Sequence, residues 1–89
     1  MNYFHIAATS TGASITKNPC KLHTVVINTK GAATSTLTLY DNNVGDNSGN
    51  VIAVVDCTVQ PQLLYDIDTR AGLSYVHANA AADITVAYQ

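Results

Sequence analysis

Short segments rich in Val, Ile, Thr, Leu and Tyr alternate with clusters of Gly, Asn, Asp and Pro along the whole chain. This rhythm of strand and turn is typical of a sandwich or barrel, and no segment has the apolar spacing of an amphipathic helix. All 6 acidic residues are Asp, which favours turns, whereas Glu favours helices. The pattern predicts an all-β fold, a small antiparallel β-sandwich of jelly-roll or immunoglobulin-like type with about seven to eight short strands.

The apolar runs between the turn clusters mark the predicted strands. They are Tyr3–Ala8, Ser14–Lys17, Cys20–Asn28, Thr34–Tyr40, Val51–Cys57, Leu63–Ile67, Leu73–Ala78 and Asp83–Tyr88. Residues 9–13, "TSTGA", are expected to form a turn. Alternation is clearest in the fourth run, where Leu37 and Leu39 should point inward and Tyr40 outward. The order of the strands within the sheets stays open.

The third run makes a further prediction about its two faces. Strict alternation places one set of side chains together: Cys20, Leu22 and Val26. Val25 and Ile27 then make the second half of the run apolar on both faces. We therefore expect this strand to be covered on both sides.

The chain is poorly charged for its size. It has 89 residues, which predicts one domain over 1–89, and 11% of them are charged against roughly 25% in a typical soluble domain. A surface with so little charge favours a protein that spends its life against neighbours. The 4 basic residues are scattered, and nucleic-acid binding needs clustered positive charge, so a nucleic-acid partner is not expected.

Neither a membrane span nor a secretory signal is predicted. The apolar runs fall short of the roughly 20 residues that cross a bilayer. The N-terminal segment "MNYFHIAATSTGA" lacks the basic region and long apolar core of a signal peptide. We therefore expect no membrane partner and synthesis in the cytoplasm, where Cys20 and Cys57 would be buried thiols. A disulfide between these two cysteines remains the alternative.

The most polar stretch of the chain, "DNNVGDNSGN", lies between two predicted strands. The spacing of an EF-hand calcium loop fails here, because Gly45 stands where a ligand is needed and no Glu ends the loop. A looser metal site formed by Asp41, Asn43 and Asp46 is one alternative. The favoured interpretation is a long hairpin loop, because Asn, Asp and Gly suit tight turns.

Residues that could carry catalysis or a cofactor do not form a recognisable motif. His5, His23 and His77 fall on three different predicted strands, where a hydrogen-bonded or surface histidine is commoner than a metal ligand. Asp66 and Asp68 could act as paired carboxylates, but "YDIDTRAG" is more simply a strand end and a turn, with Arg70 near one carboxylate. The chain also lacks a nucleophile elbow and a phosphate-binding glycine loop. We therefore predict no enzyme activity, no cofactor and no metal site.

A combination of segments resembles short proteins of tailed bacteriophages. It comprises "CKLHTVVINTKGAA", "TLTLYDN", "NVIAVVD", "LLYDIDTRAGLSYV" and "ADITVAYQ". The shared pattern is an "L-H-x-V-x-I-N" strand, an "L-x-L-Y-D" strand end, a Gly-Leu strand and a final "I-T-V-x-Y". The resemblance covers about residues 14 to 89, so residues 1–13 are either a first strand or an arm that reaches a neighbour.

The resemblance implies a virion structural protein that decorates and cements the capsid. Its partners would be the major capsid protein and other copies of itself, most often as a trimer because shell symmetry favours closed homo-oligomers. Its location would be the capsid surface, after synthesis in the host bacterial cytoplasm. The alternatives are a receptor- or glycan-binding module of a phage fibre, which the tyrosines Tyr40 and Tyr65 would serve, and a ring-forming head–tail connector.

Two segments are candidates for partner contact. The first is at the N-terminus, and the second is the polar loop, which forms an exposed tip between strands. The residues in question are Tyr3, Phe4, His5, Asp41, Asn43 and Asp46.

Overall fold

A computed structural model describes residues 1–59 and 62–89, except that it leaves the side chains of residues 62–65 undescribed. Within these ranges the chain forms eight strands. They are β1 (Asn2–Ile6), β2 (Ser10–Thr16), β3 (Lys21–Thr29), β4 (Thr36–Asp41), β5 (Asn50–Asp56), β6 (Gln62–Asp68), β7 (Leu73–Ala78) and β8 (Asp83–Tyr88). The all-β prediction is confirmed, and none of the described residues forms a helix that could cross a membrane.

The strands form two four-stranded antiparallel sheets. Sheet I has the order β1-β8-β3-β6, and sheet II has the order β2-β7-β4-β5. Along the described chain only β4 and β5 are neighbours both in sequence and in a sheet, and the other connections pass from one sheet to the other. This strand order is that of a jelly roll. It differs from an immunoglobulin-like sandwich, in which the first two strands pair within one sheet.

The second strand begins earlier than the sequence predicts. Residues 9–13 were expected to form a turn, but β2 already starts at Ser10 and pairs with β7 from there. The turn prediction is therefore wrong for residues 10–13. Two register shifts, between Ser10 and Ala13 and between Ser14 and Thr16, let the small residues run as an irregular edge strand that lacks clear alternation.

The predicted faces of the third strand are also wrong, because β3 contains a β-bulge. Its pairing with both neighbouring strands shifts register between Leu22 and Thr24. The shift moves Val25 and Ile27 to the same buried face as Leu22, while Val26 becomes half-buried on the other face. The strand is thus buried on one face along its length, and its outer face ends in exposed residues.

One apolar core lies between the sheets. Leucine, isoleucine and valine side chains from both sheets are completely or almost completely buried there: Leu22, Val25, Leu37, Leu39, Val55, Leu73, Ile84 and Val86. Leu37 and Leu39 point inward as predicted, because β4 alternates regularly. Burying each such side chain contributes about 2 kcal/mol to folding. The core therefore fixes which faces of the two sheets are left to meet solvent or partners.

Candidate interaction surfaces

The polar stretch forms the loop between β4 and β5, as the hairpin interpretation predicted. Buried Asn42 organises this loop through its side-chain amide. Its Nδ2 donates to the carbonyl oxygens of Asp46 and Ser48, at 3.0 and 2.6 Å, and its Oδ1 accepts the N–H groups of Val44 and Gly45, both at 3.2 Å. A buried amide that satisfies so many polar groups makes the loop a defined structure.

Asp41 anchors the same loop to the turn before β7. Its carboxylate accepts backbone hydrogen bonds from Arg70, Ala71 and Gly72, of which the shortest joins Ala71 N to Oδ1 at 2.9 Å. Partial burial alone would raise the pKa of Asp41, but the N–H groups of Ala71, Arg70 and Gly72 outweigh it and lower the pKa. The carboxylate therefore serves as a structural acceptor.

Gly72 lets the loop and β7 approach closely. A Cβ at this position would lie 2.7 Å from the carbonyl oxygens of both Asn42 and Thr16, closer than real side chains come to backbone. Ser74, the second residue of β7, is buried and donates its hydroxyl to Asn42 Oδ1 at 2.6 Å. The loop thus folds back over the end of sheet II, and any residue larger than glycine at position 72 would prevent this close approach.

The other loop carboxylate, Asp46, is bound to its own loop. It accepts hydrogen bonds from the side-chain hydroxyl and the backbone N–H of Ser48, and these bonds lower the pKa of Asp46. Asn43 is exposed beside it. Among the described residues, no group of three or more His, Cys, Asp or Glu side chains is placed to share a metal ion.

The outer face of sheet I carries histidine–aspartate pairs. His5 Nε2 lies 2.8 Å from Asp83 Oδ1, and His23 Nδ1 lies 2.8 Å from Asp66 Oδ1. Asn28 also donates to Asp83, at 3.0 Å, and hydrogen bonds from Asn28 and His5 lower the pKa of Asp83. This face is therefore polar, and its acidic groups already have partners in the chain.

The outer face of sheet II differs, and we call part of it the neutral face. It consists of Thr36, Thr38, Tyr40, Val51, Val54 and Val76, which the strand register places on one side of β4, β5 and β7, and exposed Asp56, opposite Thr36 on the same side, bounds it at one end. Val51 and Val54 are 55% and 66% exposed on the edge strand β5. The six residues carry no charge, so this face offers apolar and hydroxyl groups to a partner.

A groove of about 550 Å³ opens at the far end of sheet II. It is lined by Val76–Asn79 of β7 and the following turn, and by Thr9–Thr11 at the start of β2. Its floor includes His77, which is buried and fully hydrogen-bonded. Nδ1 lies 2.8 Å from the carbonyl oxygen of Thr36 and Nε2 accepts the N–H of Ala82 at 3.0 Å, so the proton sits on Nδ1.

The remaining reactive side chains are occupied within the fold. Cys57 is buried and Cys20 is half-buried, both as free thiols, and burial raises the pKa of each. Asp66 and Asp68 bind different partners, since Asp68 Oδ1 lies 4.0 Å from Lys21 Nζ. The charge of Arg70 acts on Asp41, whereas Asp66 lies beside His23 and Asp68 beside Lys21, so the expected position of Arg70 near Asp66 or Asp68 is wrong.

The structure divides the predicted contact residues among different surfaces. Tyr3, 73% exposed, and His5 lie on the outer face of sheet I, because Phe4 between them points inward and its ring packs 5.7 Å from that of Tyr75. The loop residues Asp41, Asn43 and Asp46 belong to the other sheet. Sequence reasoning missed the exposure of Val51 and Val54. It placed both in the predicted strand Val51–Cys57 without indicating that this strand lies at the edge of a sheet.

Comparisons of the chain with known protein families, with curated proteins and with solved structures gave no match. The segments that carry the phage resemblance span β3 to β8, and its four shared motifs fall on β3, β4, β7 and β8, which are the inner strands of the two sheets.

Proposed function

We propose that the chain is a structural virion protein of a tailed phage, which decorates and stabilises the capsid as a homo-oligomer. The observation that carries this proposal is the neutral face on a small jelly roll. Val51 and Val54 expose apolar surface there, while the described polar groups of the loops are largely satisfied within the chain. Such a surface suits contact with other proteins more than chemistry on a small substrate.

The satisfied polar groups support the same proposal. The anchoring of the β4–β5 loop by Asp41 and Asn42 gives a rigid tip, and rigid contact surfaces lose little entropy on binding. Decoration of a shell requires many identical copies that bind without any reaction. The resemblance to phage proteins indicates that the particle is a phage capsid. The partner would then be the major capsid protein, and three-fold symmetry is the expected arrangement.

The test is binding to empty shells of the virus that encodes the chain. The purified protein is mixed with shells that lack it and sedimented, and the thermal stability of the shells is measured with and without it. We expect saturable binding at a fixed number of copies per shell and a raised melting temperature. A monomeric protein that stays in the supernatant at all concentrations would contradict the proposal.

The groove at the end of sheet II favours one alternative, a glycan-binding module of a phage fibre. Thr9, Ser10, Thr11 and Val76 line it together with Asn79, whose Nδ2 already donates to the carbonyl oxygen of Thr34, and neutral hydroxyl groups of this kind bind sugar hydroxyls. Tyr40 lies outside the groove on the neutral face, and the side chain of Tyr65 lies outside the described residues. Screening against glycans decides: specific binding that Thr11→Ala abolishes would favour the fibre, and a blank screen would reject it.

A further inference from the structure

Residues 79–82, which we call the β7–β8 connection, are held in place by side chains. The connection carries the chain from sheet II to sheet I and belongs to no strand. Asn79 Nδ2 donates to the carbonyl oxygen of Thr34 at 2.8 Å. Ser35 Oγ donates to the carbonyl oxygen of Ala80 at 2.6 Å. The position of the connection therefore depends on a few individual hydrogen bonds.

The two residues of the first of these bonds have an unusual backbone conformation. Thr34 has a φ of 69° and Asn79 a φ of 77°. Asparagine tolerates this left-handed region, but a β-branched threonine is strained there. Strain of this kind persists only while the surrounding structure fixes it. The connection and the loop beneath it are thus held in a conformation that can relax when a supporting bond is lost.

A buried imidazole provides a further bond to the connection, and this bond exists in one protonation state. His77 is 1% exposed, its Nε2 accepts the N–H of Ala82 at 3.0 Å, and its Nδ1–H donates to the carbonyl oxygen of Thr36 at 2.8 Å. A neutral ring has one donor and one acceptor nitrogen, which match these two partners. A proton on Nε2 would make both nitrogens donors, so Nε2–H would face the Ala82 N–H and the bond would be lost.

Among the described residues, no carboxylate is placed to offset a proton on His77. The histidines that form ion pairs in this part of the chain are His5 and His23. The carboxylates on the elements around His77 are bound by backbone N–H groups, by Thr58, or by His5 and Asn28, and they are Asp41, Asp56 and Asp83. The other titratable groups on these elements are not anionic in mild acid: Lys30, Tyr40, Cys57, Tyr75 and Tyr88. A charged ring would therefore be buried without a counterion, which is costly.

We propose that His77 is an acid-sensitive switch, whose protonation on Nε2 releases the β7–β8 connection and opens the groove beside it. Release lets the charged ring reach water and relaxes the strained contact between Thr34 and Asn79, while the ladders of both sheets stay paired. The groove changes at the same time, because His77 and Asn79 both line it. This switch goes beyond the proposed function and requires neither a phage origin nor an oligomer.

The direction of the pH dependence follows from proton binding. The closed connection excludes a proton that the released connection accepts, so acid favours release. An imidazole in water has a pKa of about 6.5, and the released fraction should rise by up to about tenfold for each pH unit below that value. At pH above about 7 the connection should stay closed.

Nuclear magnetic resonance of the natural chain tests the switch. At neutral pH the ring nitrogens should show a neutral His77 with its proton on Nδ1. The protection factor of the Ala82 amide, which is the intrinsic exchange rate divided by the observed one, should fall by up to about tenfold per pH unit between about pH 6.5 and pH 5. The amide of Val86 in β8 should keep its protection. A proton on Nε2 at neutral pH, a pH-independent Ala82 amide, or an equal loss at Val86 would each overturn the proposal.

Two glutamine variants assign the response to one histidine. His77→Gln keeps one donor and one acceptor but cannot take up a proton, so the protection of Ala82 should no longer depend on pH. His5→Gln is the matched control, because His5 is bound to Asp83, the residue after Ala82, and it should keep the natural response. A response that survives in His77→Gln or disappears in His5→Gln would reject the switch. If His77→Gln does not fold, the natural chain and His5→Gln still decide.

Discussion

The two outer faces of the sandwich cover the same core but expose different kinds of side chain to solvent. On sheet I, His5 and His23 are paired with Asp83 and Asp66, so the charged groups of this face are partnered within the chain. On sheet II, the neutral face exposes Val51 and Val54, and a charged residue, Asp56, bounds it at one end. The first face exposes polar groups to water, whereas the second exposes apolar side chains. The second face is the surface on which the proposed capsid role depends.

A change in the shared core should affect both faces together. Leu39 is completely buried, so Leu39→Ala leaves a cavity between the sheets. We expect the free energy of unfolding to fall by about 2–5 kcal/mol, which is the cost of such truncations. Chemical denaturation measures it. Retention of either sheet's amide protection after the other is lost would show that the two faces do not share one cooperative core.

Removing the loop anchor should cost less, and its effect should depend on pH. Asp41→Asn deletes a charged acceptor of the Arg70, Ala71 and Gly72 N–H groups and should destabilise the fold by about 2 kcal/mol at pH 7. Because the folded-state pKa of Asp41 is lowered, its stabilisation is present above the unfolded carboxyl pKa of about 3.9 and is lost as pH falls through the folded value.

Urea denaturation of the two proteins between pH 7 and pH 2 checks this dependence. The difference in stability between the natural chain and Asp41→Asn should be largest at pH 7 and should shrink in acid. The other aspartates with a lowered pKa, such as Asp46, are present in both proteins and cancel. A difference that stays constant down to pH 2 would mean that the Asp41 charge is not what holds the loop.

The pairs on sheet I should contribute little to stability. Both side chains of the His5–Asp83 pair are well exposed, and solvent-exposed pairs of this kind contribute little to folding stability. A double-mutant cycle with His5→Ala and Asp83→Ala isolates the coupling. Raising the salt concentration should reduce it further. A large coupling would show that the histidine–aspartate pairs stabilise sheet I in addition to making its outer face polar.

The smallest effect should come from the neutral face in the unassociated protein. Val54 makes few intramolecular contacts because it is 66% exposed, so Val54→Lys should change the unfolding free energy of dilute protein by about 0.5 kcal/mol or less. Denaturation at concentrations below association measures this. A large loss of stability would mean that Val54 supports the fold itself, which would remove the contrast between the two faces.

Much of the architecture follows from local pattern. The strands other than β2 lie where the apolar runs predict them, and the inward positions of Leu37 and Leu39 follow from simple alternation. The β-bulge in β3 could not be predicted, because a shift in pairing depends on the neighbouring strands and leaves the residue types unchanged. The early start of β2 was missed for a related reason, since small polar residues serve equally in turns and in irregular edges.

The candidate surfaces were harder to predict than the fold. Asp46 lies on the loop and accepts hydrogen bonds from Ser48 of the same loop, but Asp41 is the last residue of β4, and its role as an acceptor depends on backbone N–H groups of a turn some thirty residues away. Phe4 was grouped with Tyr3 and His5 by sequence, although successive strand residues point to opposite sides. Val51 and Val54 became visible as a surface once the strand order placed β5 at an edge.

The strand order also has a kinetic consequence. In the described chain β4–β5 is the one pair of sequence neighbours, and the other pairings, such as β1 with β8, join strands that are far apart along the chain. Such a topology has a high contact order, which slows folding to milliseconds or seconds. The hairpin closed by Asp41 and Asn42 is thus the part that can form first. Until β1 and β8 meet, sheet I is incomplete, and the newly made chain exposes the apolar faces that it later buries.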